Sequence, residues 1–263
     1  MRLPWKTHLA LAWPLAKRDV MARYRGSLAG VAWALLAPLA MLAVYTLVFR
    51  GVFQARWGTG VDAGDGYQYV LRLFAGLTVF TAVAEVATRA TRLMQDNANL
   101  VKRVVFPLDA LCVALLMQVA VHTLLQMGLL ALMIVVVGDG VRWSWGWLGL
   151  AWAWTLVLQY TLALVLASLG TYLRDLQHLV PVAVSGLMFL SPVFYPIAAA
   201  PAPLAVILMI NPLSAPIEFF RLAWFGDALD PTTAGVHAAL LLLALVGARW
   251  LFARLRPGFA DLV

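Results

Sequence analysis

Three polar side chains recur at four-residue spacing within one apolar run: Gln118, His122 and Gln126. Residues four apart lie on one face of a helix, so these form a polar stripe. Side-chain amides both donate and accept hydrogen bonds, which suits them to line a path for a hydroxyl-rich substrate. Two other interpretations stay open: hydrogen bonds that hold neighbouring helices together, which is the commoner use of such a stripe, and a proton relay through His122.

Glu218 and Arg221 are ionisable residues within an apolar segment. Their i, i+3 spacing places them on one face of a helix, where they can form an ion pair. We interpret this pair mainly as a structural contact.

Sequence motifs for nucleotide, metal or covalent chemistry are absent. The chain contains no G-x-x-x-x-G-K-[ST] phosphate loop, no H-E-x-x-H, no G-x-S-x-G and only one cysteine, Cys112. Its four histidines are widely separated. We therefore predict no catalytic, cofactor-binding or metal-binding residues, and expect the energy for any transport to come from a partner or an ion gradient.

The composition indicates a membrane protein. Of the 263 residues, 63% are hydrophobic and only 12% are charged, about half the charged fraction of a soluble domain. The formal net charge is +7, but the basic residues lie between apolar runs and do not form the clustered basic face of a nucleic-acid-binding fold. We predict no nucleic-acid partner.

Six apolar runs are long enough to cross a bilayer as helices, since about 20 residues at 1.5 Å each span roughly 30 Å. Lipid offers no partner to an open sheet edge, which leaves helices as the spanning element. We therefore predict an all-α polytopic membrane protein with one transmembrane domain over residues 1–263. The predicted spans are 29–49, 69–88, 108–137, 146–170, 176–194 and 232–253.

The basic residues are distributed unevenly between the two sides of these spans. Fourteen fall on one side: Arg2, Lys6, Lys17, Arg18, Arg23, Arg25, Arg89, Arg92, Lys102, Arg103, Arg174, Arg249, Arg254 and Arg256. Five fall on the other: Arg50, Arg56, Arg72, Arg142 and Arg221. The positive-inside rule therefore places both termini in the cytoplasm.

Residues 4–25 predict an amphipathic helix on the inner membrane surface. Its apolar residues share one narrow face of a helical wheel: Trp5, Leu9, Trp13, Ala16 and Val20. We expect Pro14 to break this helix into two pieces. The alternative interpretation is that this segment serves only as a membrane anchor or topology determinant. A cleaved signal peptide is not expected, because the apolar stretch is short and lacks a small-x-small cleavage site.

Two further segments do not read as simple spans. Residues 89–107 mix charges with apolar residues, which favours a short helix that docks on another protein over an ordinary loop. Residues 192–231 carry seven of the thirteen prolines yet remain apolar. A continuous spanning helix does not tolerate that density, so we predict broken helices that enter from the outer face.

Aromatic residues follow the outer end of the first predicted span. Tyr45, Phe49 and Phe53 recur at four-residue spacing, and Trp33 lies earlier on the same run. Their flat faces suit the C–H faces of sugar rings, which would make them part of a substrate path. The equally weighted alternative is the aromatic belt of membrane proteins.

The sequence resembles the membrane subunits of type-2 ABC exporters, in the branch that exports O-antigen, capsule and teichoic acid. The resemblance begins with Arg18-Asp19, the run Arg23 to Ser27, Gly30, Trp33 and Pro38. It continues over residues 100–107, Arg174-Asp175, the region from Pro192 to Pro196, and Asn211-Pro212 followed by Glu218 and Arg221. It thus covers almost the whole chain in scattered motifs that agree in order and spacing.

The resemblance implies a homodimer of this subunit, embedded in membrane lipid and bound to two copies of a separate ATPase subunit that binds ATP and Mg²⁺. It implies that coupling to the ATPase involves Arg18, Asp19, Arg23, Tyr24, Arg25, Arg92, Asp96, Asn97, Leu100, Lys102 and Arg103. It implies an outer gate at Pro192, Tyr195, Pro196, Asn211, Pro212, Glu218 and Arg221.

The leading hypothesis is ATP-driven export of a lipid-linked polysaccharide across a bacterial cytoplasmic (inner) membrane, with no catalysis in this chain. Only three of nineteen basic residues are lysine, which favours GC-rich coding and a bacterial source. Three alternatives remain: the same architecture exporting a drug or lipid, a gradient-driven transporter dependent on His122, and a membrane scaffold.

Overall fold

A computed structural model describes residues 5–24, 30–52, 57, 66–102, 106–137, 144–227 and 229–263. Every regular element within these ranges is helical. The α-helices in the described ranges are α1 (Trp5–Tyr24), α2 (Trp33–Tyr45), α3 (Gly66–Ala90), α4 (Leu93–Asp96), α5 (Ala98–Val101), α6 (Asp109–Val137), α7 (Trp145–Tyr172), α8 (Leu176–Phe189), α9 (Ala202–Ile210), α10 (Ser214–Phe225), α11 (Pro231–Leu255) and α12 (Phe259–Leu262). A π-helical turn over Thr46–Val52 extends α2, and 3₁₀ turns cover Gly30–Ala32, Ile197–Ala199 and Arg256–Gly258.

Four of the described helices are long and apolar enough to cross a membrane: Tyr67–Ala90, Asp109–Val136, Trp145–Tyr172 and Pro231–Leu262. They coincide with the second, third, fourth and sixth predicted spans, which confirms an all-helical, multi-span fold. The first and fifth predictions fall on the shorter apolar helices Trp33–Phe49 and Leu176–Phe189. Six full-length spans are therefore not confirmed. The fifth is short because α8 ends before Ser191-Pro192, and a residue before proline disfavours helical geometry.

Helix α3 lies at the centre of the bundle, packed against α6, α7 and α10. Its side chains Leu73 and Val86 are fully buried. Leu73 belongs to an apolar cluster with α10, and Val86 to a second cluster with α6, α7 and α11. Helix α3 is therefore a buried element that holds the side chains it contributes to neighbouring cavities in place.

Helix α1 runs without a break through Pro14, so the predicted division into two pieces is wrong. Pro14 is exposed, and the helix continues through it although the ring removes one backbone donor. The small residues Ala12 and Ala16 pack on the first turns of α6. Leu9 and Trp13 remain exposed, so the apolar face predicted from the wheel is divided between packed and exposed residues.

Asp230 caps the N-terminus of α11. Its carboxylate accepts hydrogen bonds from the backbone N–H groups of Thr232 (3.2 Å) and Thr233 (3.0 Å), and also from the Thr233 hydroxyl. These hydrogen bonds, led by the one from the hydroxyl, hold the pKa of Asp230 below its ordinary value. Pro231 follows at the first helical position, where its missing donor has no cost.

Asp230→Ala is expected to fray the first turn of α11, because two backbone donors lose their acceptor. Asp230→Asn keeps a side-chain oxygen and is the matched control. Deuterium exchange of the peptide around residues 231–236 at neutral pH measures the effect. Because the folded-state pKa is lowered, the cap is complete above about pH 4 and is lost as the pH falls through that lowered value. Equal protection in both variants would contradict this role.

Candidate functional site

A charged cleft of about 510 Å³ lies between α1, α3, α4 and α6. It joins two segments that are far apart in sequence, since both predicted coupling regions contribute side chains. Its lining is Arg18, Asp19, Ala22, Arg23, Glu85, Arg89, Leu93, Asp96, Asn97 and Gln118. Five of the predicted coupling residues therefore share one surface depression with Gln118, a predicted path residue.

In the charged cleft, the Glu85 carboxylate binds two arginines. Its Oε1 accepts hydrogen bonds from Arg23 Nη1 at 2.6 Å and from Arg89 Nη1 at 3.2 Å. The Arg23 contact ties α1 to α3, whereas the Arg89 contact lies within α3. Glu85 is only partly buried, which leaves this charge network open to solvent and to a ligand.

A second cavity, the α2 cavity, adjoins the charged cleft because both are lined by Arg23 and Glu85. Its volume is about 320 Å³. Trp33 of α2 and His122 and Gln126 of α6 contribute to its walls. All three residues of the predicted polar stripe therefore line one or other of two adjoining cavities. Sequence spacing located the stripe correctly, but it gave no means of finding Glu85 as its charged neighbour.

Two residues of the predicted aromatic stripe, Tyr45 and Phe49, are partly buried against the apolar core. Tyr45 and Phe49 have ring centroids 6.2 Å apart, and Phe49 stacks on Phe194 at 5.5 Å. Phe49 also lies 5.7 Å from Tyr69 of α3. Neither Tyr45 nor Phe49 lines the charged cleft or the α2 cavity. Their role in a substrate path stays a prediction.

The described part of the segment 89–107, residues 89–102 and 106–107, packs against other helices of the same chain. Met94 and Val101 are buried in the apolar cluster shared with α6 and α7, so they are not available as anchors for another protein. Leu100 is half-buried against the same cluster. Three charged residues of the segment are exposed: Arg92 and Asp96, whose charged atoms are 3.9 Å apart, and Lys102.

Thr91 approaches α7 unusually closely. A Cβ added at Gly170 would lie 2.1 Å from the Thr91 carbonyl oxygen, so only glycine fits there. Gln95 Nε2 donates to the Gly170 carbonyl at 3.3 Å. The 91–97 stretch is therefore fixed to the end of α7 by backbone contact and a side-chain hydrogen bond.

The predicted ion pair between Glu218 and Arg221 forms near the N-terminal end of α3, at the end away from the charged cleft. Arg221 is fully buried and donates from Nη1 to Glu218 Oε1 at 3.0 Å. Its Nη2 donates to the Val193 carbonyl at 2.8 Å and its Nε to the Arg72 carbonyl at 3.3 Å. The guanidinium also stacks over the Trp57 ring at 4.3 Å. Arg221 thus joins α10, α3 and the turn after α8, as the structural interpretation predicted.

A second ion pair, between Arg72 and Asp227, lies near the same end of α3 and was not predicted. Arg72 Nε and Nη2 both donate to the Asp227 carboxylate, at 2.9–3.1 Å. Arg72 also donates to Gln68 and lies over the Phe225 ring at 4.8 Å. An isolated arginine in an apolar span was the available indication that a partner existed.

The segment 192–231 is broken as predicted. Helices α9 and α10 meet at an angle of 91° across Asn211–Leu213. Asn211 Nδ2 donates to the Leu190 carbonyl at 2.8 Å, and its Oδ1 accepts from the Leu213 N–H at 2.8 Å. The Asn211 side-chain amide thus satisfies a backbone carbonyl at the end of α8 and a backbone N–H in the bend between α9 and α10.

The other predicted gate residues surround this bend. Tyr195 donates from its hydroxyl to the Phe189 carbonyl at 2.7 Å, where it closes the turn after α8. Pro192 and Pro196 border that turn, and Pro212 lies in the bend itself. The Tyr24 side chain and residues Arg25, Phe53 and Arg103 lie outside the part of the chain that the structure describes.

Comparisons with known proteins agree with one another. A family model described as "ABC-2 type transporter" matches residues 11–225. The O-antigen export system permease protein RfbA of Myxococcus xanthus is 24% identical over 250 residues, which cover 94% of this chain and 93% of the relative. The protein of the same name from Klebsiella pneumoniae is 22% identical over 252 residues, or 95% of this chain and 93% of the relative.

Proposed function

Because this chain belongs to the ABC-2 type transporter family, we propose that it is the membrane-spanning subunit of an ATP-driven exporter of lipid-linked polysaccharide. The relatives that support this substrate are named as O-antigen export permeases, and they match nearly the full chain. The multi-pass helical fold fits a conduit subunit. Hydrolysis of ATP, with its Mg²⁺, belongs to a separate partner subunit.

The observation that carries the proposal is the connection between the charged cleft and the α2 cavity. Arg23 and Glu85 line both, so the segments expected to meet the ATPase adjoin the polar stripe of α6. Movement of α1 relative to α3 would alter the Arg23–Glu85 contact and the walls of both cavities together. That is the arrangement that coupling of ATP hydrolysis to a substrate path requires.

The proposal includes a homodimer with two ATPase subunits, in the bacterial inner membrane with both termini cytoplasmic. Six crossings then include α2 and α8 as the two shorter ones. Both helices expose large apolar side chains, among them Met41 and Val44 on α2 and Val182 and Phe189 on α8. Such faces need lipid or a second copy of the chain to cover them.

Reconstitution tests this function. Proteoliposomes that contain the chain and its ATPase subunit should move lipid-linked polysaccharide only when ATP is hydrolysed. Transport by the chain alone would overturn the proposal. A requirement for His122 together with an ion gradient would instead establish the secondary-transporter alternative, and movement of only drugs or lipids would establish the alternative cargo.

Arg23→Gln is expected to lower ATP-coupled transport several-fold while stability changes little. The Arg23–Glu85 pair is partly exposed, and such pairs contribute only about 0–1 kcal/mol to stability. Its proposed importance lies in linking α1 to α3. Transport and melting temperature should be measured together, with Arg254→Gln on the exposed side of α11 as the control.

The charge-swapped double variant Arg23→Glu/Glu85→Arg sharpens this prediction. It restores an ion pair of opposite polarity between α1 and α3, while the new arginine loses the contact with Arg89 and faces its like charge, so transport should recover only in part. If Arg23→Gln transports as well as Arg254→Gln does, the link has no role in coupling.

A further inference from the structure

A third cavity, the α10 cavity, lies where α9, α10 and the first turns of α11 meet. Its volume is about 490 Å³, within the range of roughly 300–1,000 Å³ typical of small-molecule sites. It shares no lining residue with the charged cleft or the α2 cavity. The lining is Trp57, Pro196, Ile197, Ala198, Met209, Ser214, Ala215, Glu218, Asp227, Leu229, Asp230, Thr233, Ala234 and His237.

Two buried polar groups in this lining lack partners. His237 is 94% buried, since its exposed fraction is 6%, and its Nε2 contacts the carbonyl oxygen of Met209. A carbonyl only accepts, so Nε2 donates to it, and in the neutral ring Nδ1 is then an acceptor. Neither His237 Nδ1 nor Ser214 Oγ has a hydrogen-bond partner among the described residues. Buried polar atoms are normally satisfied, so both atoms are open to a hydrogen bond from a molecule in the cavity.

The charges in the lining define the chemistry of that ligand. Glu218, Asp227 and Asp230 contribute carboxylates, whereas the paired arginines Arg221 and Arg72 do not belong to the lining. These carboxylates already accept hydrogen bonds from Arg221, Arg72 and the Thr232–Thr233 turn, and their remaining lone pairs can accept from hydroxyl donors. The described lining contains no lysine or arginine, so it offers a phosphate group no cationic partner.

The remaining wall is apolar and partly flat. Trp57 and Pro196 offer ring faces, and Ile197 and Leu229 add aliphatic surface. A sugar ring combines hydroxyl donors at its rim with apolar C–H faces, so it matches both parts of this wall. An acyl chain would leave His237 Nδ1 and Ser214 Oγ unsatisfied.

We propose that the α10 cavity binds one neutral sugar unit, with ring hydroxyls donating to His237 Nδ1 and the acidic side chains, and with Ser214 Oγ completing the contact. The inference rests on the proposed function, because the sugar would belong to the exported polymer. It assigns a saccharide site to the broken segment that is separate from the predicted path on α2 and α6.

Ligand-detected saturation-transfer NMR on the full-length chain in nanodiscs tests this site. The probes are the methyl glycosides of mannose, galactose and rhamnose, with glucose 6-phosphate as the anionic comparison. Ala198→Trp fills the cavity from an exposed position, and Ala199→Trp is the matched control, since Ala199 is its exposed neighbour outside the lining. Ser214→Ala removes one hydroxyl and should weaken binding by about two- to tenfold, the factor for one hydrogen bond.

At least one neutral glycoside is expected to bind the unaltered chain and the Ala199→Trp variant, but not Ala198→Trp, and glucose 6-phosphate is not expected to bind. Binding of no glycoside, or equal binding by both tryptophan variants, would overturn the inference. So would a photoactivatable acyl lipid that labels residue 198 and is not displaced by glycoside. ATP-dependent transport by the unaltered chain, measured in parallel, shows whether such a failure leaves the exporter function intact.

Discussion

Gly170→Ala is expected to unfold or severely destabilise the protein. The added Cβ would lie 2.1 Å from the carbonyl oxygen of Thr91 and 2.8 Å from its carbonyl carbon and Cα. All three are backbone atoms, so no side-chain rotation relieves the overlap. Either α7 or the 91–97 stretch must shift. Overpacking of this kind costs about 1–3 kcal/mol and occasionally more, and a rigid backbone neighbour places the cost at the upper end.

Gly149→Ala is the matched control for this prediction. Gly149 lies on the same helix, α7, and an added Cβ there meets nothing within 4 Å. Replacing an exposed helical glycine by alanine stabilises a helix by about 0.5–1 kcal/mol. Urea unfolding midpoints in detergent should therefore move in opposite directions for the two variants. A midpoint for Gly170→Ala at or above that of the unaltered chain would refute the close contact.

Arg221→Met is expected to destabilise the fold by about 3–5 kcal/mol, the usual cost of removing one partner from a buried ion pair. Arg221 is fully buried, so its loss leaves the Glu218 carboxylate and the Val193 carbonyl without their donor. The stacking contact with Trp57 is lost as well. Replacing both charged partners, in Arg221→Met/Glu218→Leu, should recover part of the stability, because no buried charge then remains unpaired.

Arg92→Met provides the comparison for the Arg221 variant. Arg92 and Asp96 also lie within one helical turn, but both side chains are 61% exposed and their charged atoms are 3.9 Å apart. Exposed pairs of this kind are worth about 0–1 kcal/mol. The loss of melting temperature should be far larger for Arg221→Met. Equal losses would show that Arg221 is not the contact that holds α10 to α3.

The elements predicted most accurately were those with a strong local pattern. The runs around α3, α6, α7 and α11 are long, apolar and bounded by charged or polar residues, so their length and composition located them. The Glu218–Arg221 pair formed because its spacing is set within one helix. The family resemblance added a functional hypothesis that composition could not supply, and a family match over residues 11–225 supports it.

Features that depend on contacts between distant residues were not predicted. Arg72 pairs with Asp227 across 155 positions, and Arg23 with Glu85 across 62. No local pattern determines which helix faces which. The helical wheel likewise did not predict that Ala12 packs on α6 beside Ala16, because a contact between two helices depends on which of their faces meet. The amphipathic surface helix itself stays a prediction.

The close contact at Gly170 fixes the position of α7 relative to Thr91. At one end its backbone touches Thr91, and farther along Trp154 packs against Phe219 of α10 with ring centroids 4.9 Å apart. Sixteen residues of helix, about 24 Å at 1.5 Å per residue, separate these two points. A displacement of Thr91 that tilted α7 would therefore change the spacing of Trp154 and Phe219 as well.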